Sequence, residues 1–318
     1  MSKELILGID TSNYTTAAAL LTKSGELVAQ KRARLEVKKG NRGLRQSKAV
    51  FQHVEKLSEI INEVIAGYQE QIVKIVVSSR PRDEEGSYMP VFRVGEGQAE
   101  TLAQALNVPL QKVSHQAGHL MAGLWSNDIY NLDRFLALHL SGGTSELLLV
   151  NEKEDASFEI EKIGGSQDIT AGQFVDRVGV KLGLSFPAGA ELEKLAQQGE
   201  KDNVVLPHSV QGLEISFSGP CSAAMRKIEA GVKKEDIALG VQQSIAKSLN
   251  KILLKAIKEY NCQDLLLVGG VMANQYLRNK LKDNLESQNS ATQLYFASPR
   301  WSSDNAVGTA AIGLKFDN

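Results

Sequence analysis

The chain repeats one local plan, and that repeat limits its possible folds more than any other feature. Residues 5–34 read as three strands joined by two tight turns. The first turn is the polar run Asp10-Thr-Ser-Asn-Tyr-Thr15, and the second is Lys23-Ser-Gly-Glu26, which leads into a strand over 27–34. The pattern restarts near residue 134. A strand at 135–140 meets the polar turn Ser141-Gly-Gly-Thr-Ser145, a returning strand covers 146–150, and a third follows at 158–163. Alternating elements come after each triplet. In the first half, apolar spacing predicts helices at 47–67 and 93–106 and one starting near His115, with strands at 72–78 and 110–114. In the second half it predicts helices at 170–183, 189–198, 221–230, 236–259 and 273–284, strands at 265–268 and 294–296, and a closing helix rich in Ala and Gly over 304–314.

A turn rich in Gly, Ser and Thr between two strands lets backbone N–H groups approach a phosphate. An ordinary hairpin accounts for either turn alone. Two such turns at matching places in a repeat point instead to two lobes gripping the phosphates of one nucleotide. This is the plan of the actin, heat-shock and sugar-kinase superfamily. The expected fold is therefore α/β and actin-like, with duplicated ribonuclease-H-like lobes and a nucleotide cleft between them. The expected organisation is a first lobe over 1–130, a second over 131–303, and a closing helix over 304–318 that returns to the cleft.

Bulk properties exclude several classes. With 318 residues there is room for two cores, and no apolar run approaches the roughly 18 residues of a membrane span. The two cysteines, Cys221 and Cys262, argue against a disulfide framework and point to a reducing, cytoplasmic setting with no membrane partner. A net charge of −1 gives no global pull toward nucleic acid. Locally, eight basic residues (Lys31, Arg32, Arg34, Lys38, Lys39, Arg42, Arg45 and Lys48) face only Glu36. A solvated strand-and-loop face explains this run, and so does a phosphate-contacting patch for tRNA.

His115 and His119 stand four apart, on one face of a helix, at the spacing of two ligands to one metal; paired surface or capping histidines show the same spacing. Gln116 directly after His115 excludes a zinc-protease motif, which needs Glu there as base. Asp304 falls in the first turn expected for the closing helix. The helix dipole favours a carboxylate there, and the residue is also a candidate third ligand. Two imidazoles and a carboxylate with open positions suit Fe or Zn. Asp10, at the end of the first strand, is placed to hold a cation or water near the phosphates, or to cap its own turn. Asp176 can accept ribose hydroxyls from a helix, or be a solvated helix charge. The run Leu265 to Asn274 reads as strand, double-glycine turn and helix start. Its glycines permit a base or ribose to approach, and Asn274 can cap the helix and bond the nucleotide.

Together these segments resemble the TsaD family, the tRNA N6-adenosine threonylcarbamoyltransferases, in order through nearly the whole chain. The resemblance rests on GIDTSNYT, the two histidines, Ser-Gly-Gly at 141–143, FVDRVGVKLGLSFPAG, Ser-Phe-Ser-Gly at 216–219, GGVMANQYLR and SSDNA. It implies a metal on His115, His119 and Asp304. It implies an adenine nucleotide or acyl-adenylate held by Ser141, Gly142, Gly143, Thr144, Ser145, Asp176, Gly189 and Asn274, with Asp10 at the reaction centre. The departures are equally specific. The family's Cys-Asp-Glu becomes Asn13-Tyr14-Thr15, and a histidine of the second turn becomes Thr144. Gly-Glu-Ala becomes Gly172-Gln173-Phe174, and Leu-Lys after Ser-Phe-Ser-Gly becomes Pro220-Cys221. A Gly-Pro-Gly-Leu loop has no counterpart in residues 78–86.

The resemblance therefore implies a diverged paralogue: a metal-dependent acyltransferase that moves threonylcarbamoyl from its adenylate to tRNA adenosine N6, with lowered or altered activity. Two alternatives stand beside it. One is a non-catalytic nucleotide-binding scaffold that pairs with a related actin-like subunit or with a second copy of itself. The other is a carbamoyltransferase acting on a small molecule.

Overall fold

The computed structural model describes residues 3–12, 14–37, 44–129, 132–153 and 157–316. It divides into two compact units. The first comprises residues 1–131, 152–159 and 300–318; the second comprises 132–151 and 160–299. Of the altered turn, Asn13 lies outside the described residues, as do Lys38, Lys39 and Arg42 of the basic run.

The first unit is built on β1 (Leu5–Ser12), β2 (Thr15–Thr22) and β3 (Leu27–Arg34), followed by α1 (Gln46–Ile65), β4 (Ile72–Arg80), α2 (Phe92–Leu106), β5 (Leu110–Ser114) and α3 (His115–Trp125). Its five strands lie in the order β3-β2-β1-β4-β5. β1 is antiparallel to β2 and parallel to β4. Every residue of β1 is buried. Strand side chains alternate between faces, so Leu5, Leu7 and Ile9 pack into one core with Leu57, Ile60, Ile61 and Val64 of α1. Ile6, Gly8 and Asp10 point the other way.

The second unit restates the plan with β6 (Arg134–Leu140), β7 (Ser145–Glu152) and β8 (Phe158–Ser166). It continues with α4 (Ala171–Lys181), α5 (Gly189–Ala196), β9 (Ser209–Gln211), β10 (Glu214–Ser216), α6 (Ser218–Glu229), α7 (Lys234–Tyr260), β11 (Asp264–Val268), α8 (Gln275–Gln288) and β12 (Gln293–Phe296). The seven strands run in the order β12-β11-β6-β7-β8-β10-β9. β6 is antiparallel to β7 and parallel to β11, matching the relations of β1 to β2 and β4. The core gathers Leu136, Leu138 and Leu140 of β6 with Phe174, Val178, Ile245, Leu249, Leu253 and Leu265.

After β12 the chain rejoins the first unit through α9 (Val307–Ile312) and a short 3-10 turn, Gly313–Phe316. The closing helix is thus shorter than the expected 304–314. Asp304 precedes it rather than sitting in its first turn, because the Asn305 side chain accepts the Val307 and Gly308 N–H groups and starts the helix after itself. α9 lies against the face of β1 that carries Gly8: a Cβ on Gly8 would fall 2.4 Å from the Ala306 carbonyl oxygen. It is equally close to α3, where a Cβ on Gly308 would fall 1.9 Å from the Gly118 oxygen. The β9–β10 hairpin was not expected from sequence, since strands of three residues carry no readable period. Among the described residues, no helix is long and apolar enough to cross a membrane.

The α3–α9 approach yields a test of the packing. Gly308→Ala should overpack the contact and cost about 1–3 kcal/mol, read as a lower midpoint in thermal or denaturant unfolding. Gly142→Ala, with open space around it, should leave the midpoint nearly unchanged.

Candidate active site

The polar group of the first unit sits where β1, α3 and the segment before α9 meet. Ser114 caps α3 by accepting the Ala117 N–H. One helical turn then sets His115 and His119 side by side, with ring centroids 4.4 Å apart. Their Nε2 atoms are 3.0 Å apart. Oδ1 of Asp304 lies 3.2 Å from Nε2 of His119 and 3.6 Å from Nε2 of His115. One ligand atom from each residue therefore falls within a common radius. Nitrogen and oxygen ligands at about 2.0–2.1 Å around a tetrahedral ion stand about 3.3 Å apart, so the three atoms fit a transition metal without rearrangement.

Asp10, fully buried, reaches this group from the inner face of β1, and its Oδ1 lies 3.1 Å from His115 Nδ1. A neutral His115 donating that Nδ1–H would present a bare Nε2 lone pair to the shared point, as the carboxylate partner of a metal-bound histidine does. Burial opposes a charge on His115, but the carboxylates of Asp10 and Asp304 outweigh it and push its pKa up to about 10. Burial likewise works against charge on Asp10 and Asp304, yet the adjacent imidazoles hold both carboxyls below the usual range, Asp304 far below it. The group attracts a cation, whether a proton or a metal ion.

The segment bearing Asp304 is tied in place. Asn305 donates to the Trp301 and Ser303 carbonyls, and Arg32 of β3 donates to the Arg300 carbonyl and Ser303 Oγ. Trp301 packs edge-on to Trp125 of α3. On the other side, Asp83 accepts hydrogen bonds from Arg80 and from the capping Ser114, and the Pro81 carbonyl accepts the Gln116 N–H. Residues 78–86, which lack the family's glycine loop, thus brace the start of α3.

The second unit gathers the other candidates. In the turn between β6 and β7, Ser141 Oγ accepts the Gly143 and Thr144 N–H groups, and the two glycines are exposed. The turn rests on the start of α4: Thr170 donates to the Gly142 carbonyl, and the buried Ser145 hydroxyl accepts the Ala171 N–H. Asp176, half-buried on α4, accepts the Ala188 N–H at 2.7 Å just before Gly189 opens α5, and burial pushes its pKa up. Glu193 of α5 then accepts the Gln275 N–H beside Asn274. Asn274 caps α8 through Oδ1, which leaves its amide nitrogen as a donor. Gly269, at φ 97°, closes the ring: a Cβ there would meet the Leu140 carbonyl oxygen at 2.2 Å. A chain of contacts therefore links the turn, Asp176, Gly189 and Asn274.

Two residues that sequence reasoning left unassigned anchor the segments around these contacts. Arg278 donates to the Met272 and Ala297 carbonyls and stacks on Phe296, fixing the turn before Asn274. Asp168 accepts from the hydroxyls of Ser216 and Ser218 and from the N–H groups of Phe217 and Ile169. Two family departures prove to be structural. Gln173 completes a capping box with Thr170, as Glu would, and Phe174 is core, stacked on Phe217. Pro220 fits the first turn of α6, and Cys221 is buried beneath it.

Comparison with known proteins places the fold first. The chain has the actin-like ATPase fold. It superposes on HypF of T. kodakarensis with a TM-score of 0.67 at 14% identity, covering 99% of this chain and 48% of that one. A glucokinase of the ROK family from Streptomyces griseus, in complex with glucose and AMPPNP, superposes with a TM-score of 0.53 at 12% identity, covering 96% and 98%. The family follows from sequence. Residues 26–311 match the TsaD family, tRNA N6-adenosine threonylcarbamoyltransferase, and the chain belongs to it. The enzyme of that description from Bacillus subtilis is 33% identical over 97% of this chain and 89% of its own length. The one from Methanopyrus kandleri is 29% identical over 98% and 87%. The chain is thus an acyltransferase of a tRNA-modifying family.

Two measurements test the local geometry. Asp10→Asn should weaken metal binding about 10- to 100-fold, since an amide can donate to His115 Nδ1 and so favour the tautomer that blocks Nε2; metal titration of the purified protein reads this. Asp168→Asn should lower the stability of the second unit by about 1–2 kcal/mol, the low end of charged hydrogen bonds because the group is exposed. Four hydrogen bonds hold the Asp168 carboxyl well below its usual range. Its contribution is present above about pH 3.9 and is lost as pH falls toward the folded value. The difference between wild type and Asp168→Asn should therefore shrink on acidification and stay constant through neutrality.

Proposed function

We propose that the chain binds one divalent Fe or Zn ion through His115, His119 and Asp304, and uses it to transfer threonylcarbamoyl from its adenylate to N6 of a tRNA adenosine in the cytoplasm. The observation that carries this reading is the convergence of two Nε2 atoms and one carboxylate oxygen within 3.6 Å of each other, backed by a buried carboxylate. When bound, the metal supplies Lewis acidity toward the acyl carbonyl. Asp10 and the Asn305 clasp hold the ligands at fixed spacing. The exposed turn at Ser141 to Thr144 offers backbone N–H groups to the adenylate phosphate once the Ser141 hydroxyl gives them up. Asp176 and Asn274 take ribose and base. In the transfer, the N6 nitrogen forms a bond to the carbamoyl carbon, the bond from that carbon to the phosphate oxygen breaks, AMP leaves with the electron pair, and N6 loses a proton.

The residues of the β1–β2 turn favour a slower enzyme. Tyr14 and Thr15 offer no carboxylate to take that proton, and Asp10 is engaged with His115. A missing general base costs a factor of about 10² to 10⁴. Thr15 is buried opposite Ser12, so a Glu there would be desolvated, whereas Tyr14 is exposed. The same turn supports a second reading, a nucleotide-binding scaffold for a related actin-like subunit. With threonylcarbamoyl-adenylate and bulk tRNA, wild type should form the modified nucleoside slowly, and Tyr14→Asp should raise the rate; mass spectrometry of digested tRNA reads both. No product from either protein, with metal bound, would replace the transferase reading by the scaffold.

A further inference from the structure

The basic residues that β3 carries, Lys31, Arg32 and Arg34, do not form one patch, because the strand deals its side chains to two faces. Directly paired residues on neighbouring strands share a face. Ile9 pairs with Ala18 and Ala18 with Lys31, so Lys31 lies on the α1 side, where it meets Glu63 at 2.7 Å. Asp10 pairs with Ala17 and Ala17 with Arg32; Ser12 pairs with Thr15 and Thr15 with Arg34. Arg32 and Arg34 therefore share the face of Asp10. A third arginine joins them from the far end of the chain. Arg32 donates to the Arg300 carbonyl, and the Arg300 guanidinium lies over Trp301, 4.6 Å from the ring centroid. Partial desolvation of its guanidinium, then the charges of Arg34 and Arg300, lower the pKa of Arg32. Among the described residues, none of the three makes an ion pair with a carboxylate, although Asp304 lies on the segment that Arg32 holds. All three are exposed.

We propose that Arg34 and Arg300, seated by Arg32, are the contact through which this chain holds the phosphate backbone of its acceptor RNA, beside the chelating group. The proposal rests on the transferase reading and assigns the acceptor surface that this reading lacks. Uncompensated guanidinium groups on one face suit a polyanion, because each phosphate contact releases condensed counterions and guanidinium forks bind phosphate oxygens in pairs. Their place on the sheet face of Asp10, and on the segment bearing Asp304, brings the acceptor strand to the residues that would carry out the transfer. Lys31, though it opens the sequence run, is on the opposite face and already paired with Glu63.

Binding of bulk tRNA to the full chain, measured over a series of salt concentrations, tests this. Arg34→Gln and Arg300→Gln should each weaken binding several-fold, and each should reduce the slope of log affinity against log salt by about one. Lys31→Gln should change neither. Metal content and AMP binding, measured on the same preparations, should stay at wild-type levels and report an intact fold. Unchanged affinity and slope in both arginine variants, with wild type binding tRNA, would overturn the assignment and leave the transferase reading standing. So would a Lys31→Gln effect as large as theirs, which would reduce the contact to bulk charge. No tRNA binding by wild type at low salt would overturn both.

Discussion

The contact on which the first unit depends is the approach of α9 to β1 and α3 at near-backbone distance. It is possible only because Gly8 and Gly308 present no side chains there. Helix and strand then pack without a layer of side chains between them, and the segment just before α9 is drawn against the start of α3. Asp304 thereby reaches the two histidines across most of the chain. Asp10 arrives at the same place because the alternation of β1 sends Leu5, Leu7 and Ile9 to the α1 core and leaves the even-numbered residues on the α9 side. A packing constraint among small residues thus sets the geometry of a polar group that none of them belongs to.

Much of this was legible in the sequence, and the reason is local. The first two strands of each triplet carry apolar runs broken by turn residues, and the long helices carry clear 3.6-residue spacing. The histidine pair follows from helical geometry alone. What escaped were relations that leave no local trace. The bond between Asp10 and His115 joins residues 105 positions apart, and the Asp168 knot joins a loop to Ser216 and Ser218 about 50 residues on. Arg278 looks like one more charge on a polar helix until its partners, the Met272 and Ala297 carbonyls, are seen. The start of α9 was misplaced for a related reason: Asp304 and Asn305 are both plausible caps, and only the fold shows that Asn305 takes the role and frees Asp304 to face the histidines.

The departures from the family pattern separate under the same scrutiny. Gln173, Phe174, Pro220 and Cys221 are accommodated as cap, core and helix start, so they report how this chain packs. Tyr14, which is exposed, has no comparable structural task that an acid would fail, whereas Thr15 is buried, and Thr144 sits on a turn whose glycines are exposed. Tyr14 and Thr144, departures left without a packing explanation, lie on the two polar turns, where the duplicated plan exposes backbone. The charged residues divide in the same way: sequence clustering suggested one basic patch, whereas strand pairing separates a neutralised lysine from exposed arginines.

The first unit is interrupted in the chain: residues 300–318 complete a body begun by residues 1–131, with the second unit made in between. During synthesis, at roughly 5–20 residues per second, the second unit can close around its own core while the first still lacks α9 and Asp304. Until then the nascent first unit can display its histidine pair, but not the carboxylate that faces it. The polar group at the start of α3 is therefore completed only after the second unit has emerged, so chain order itself sets the sequence in which the two bodies are finished.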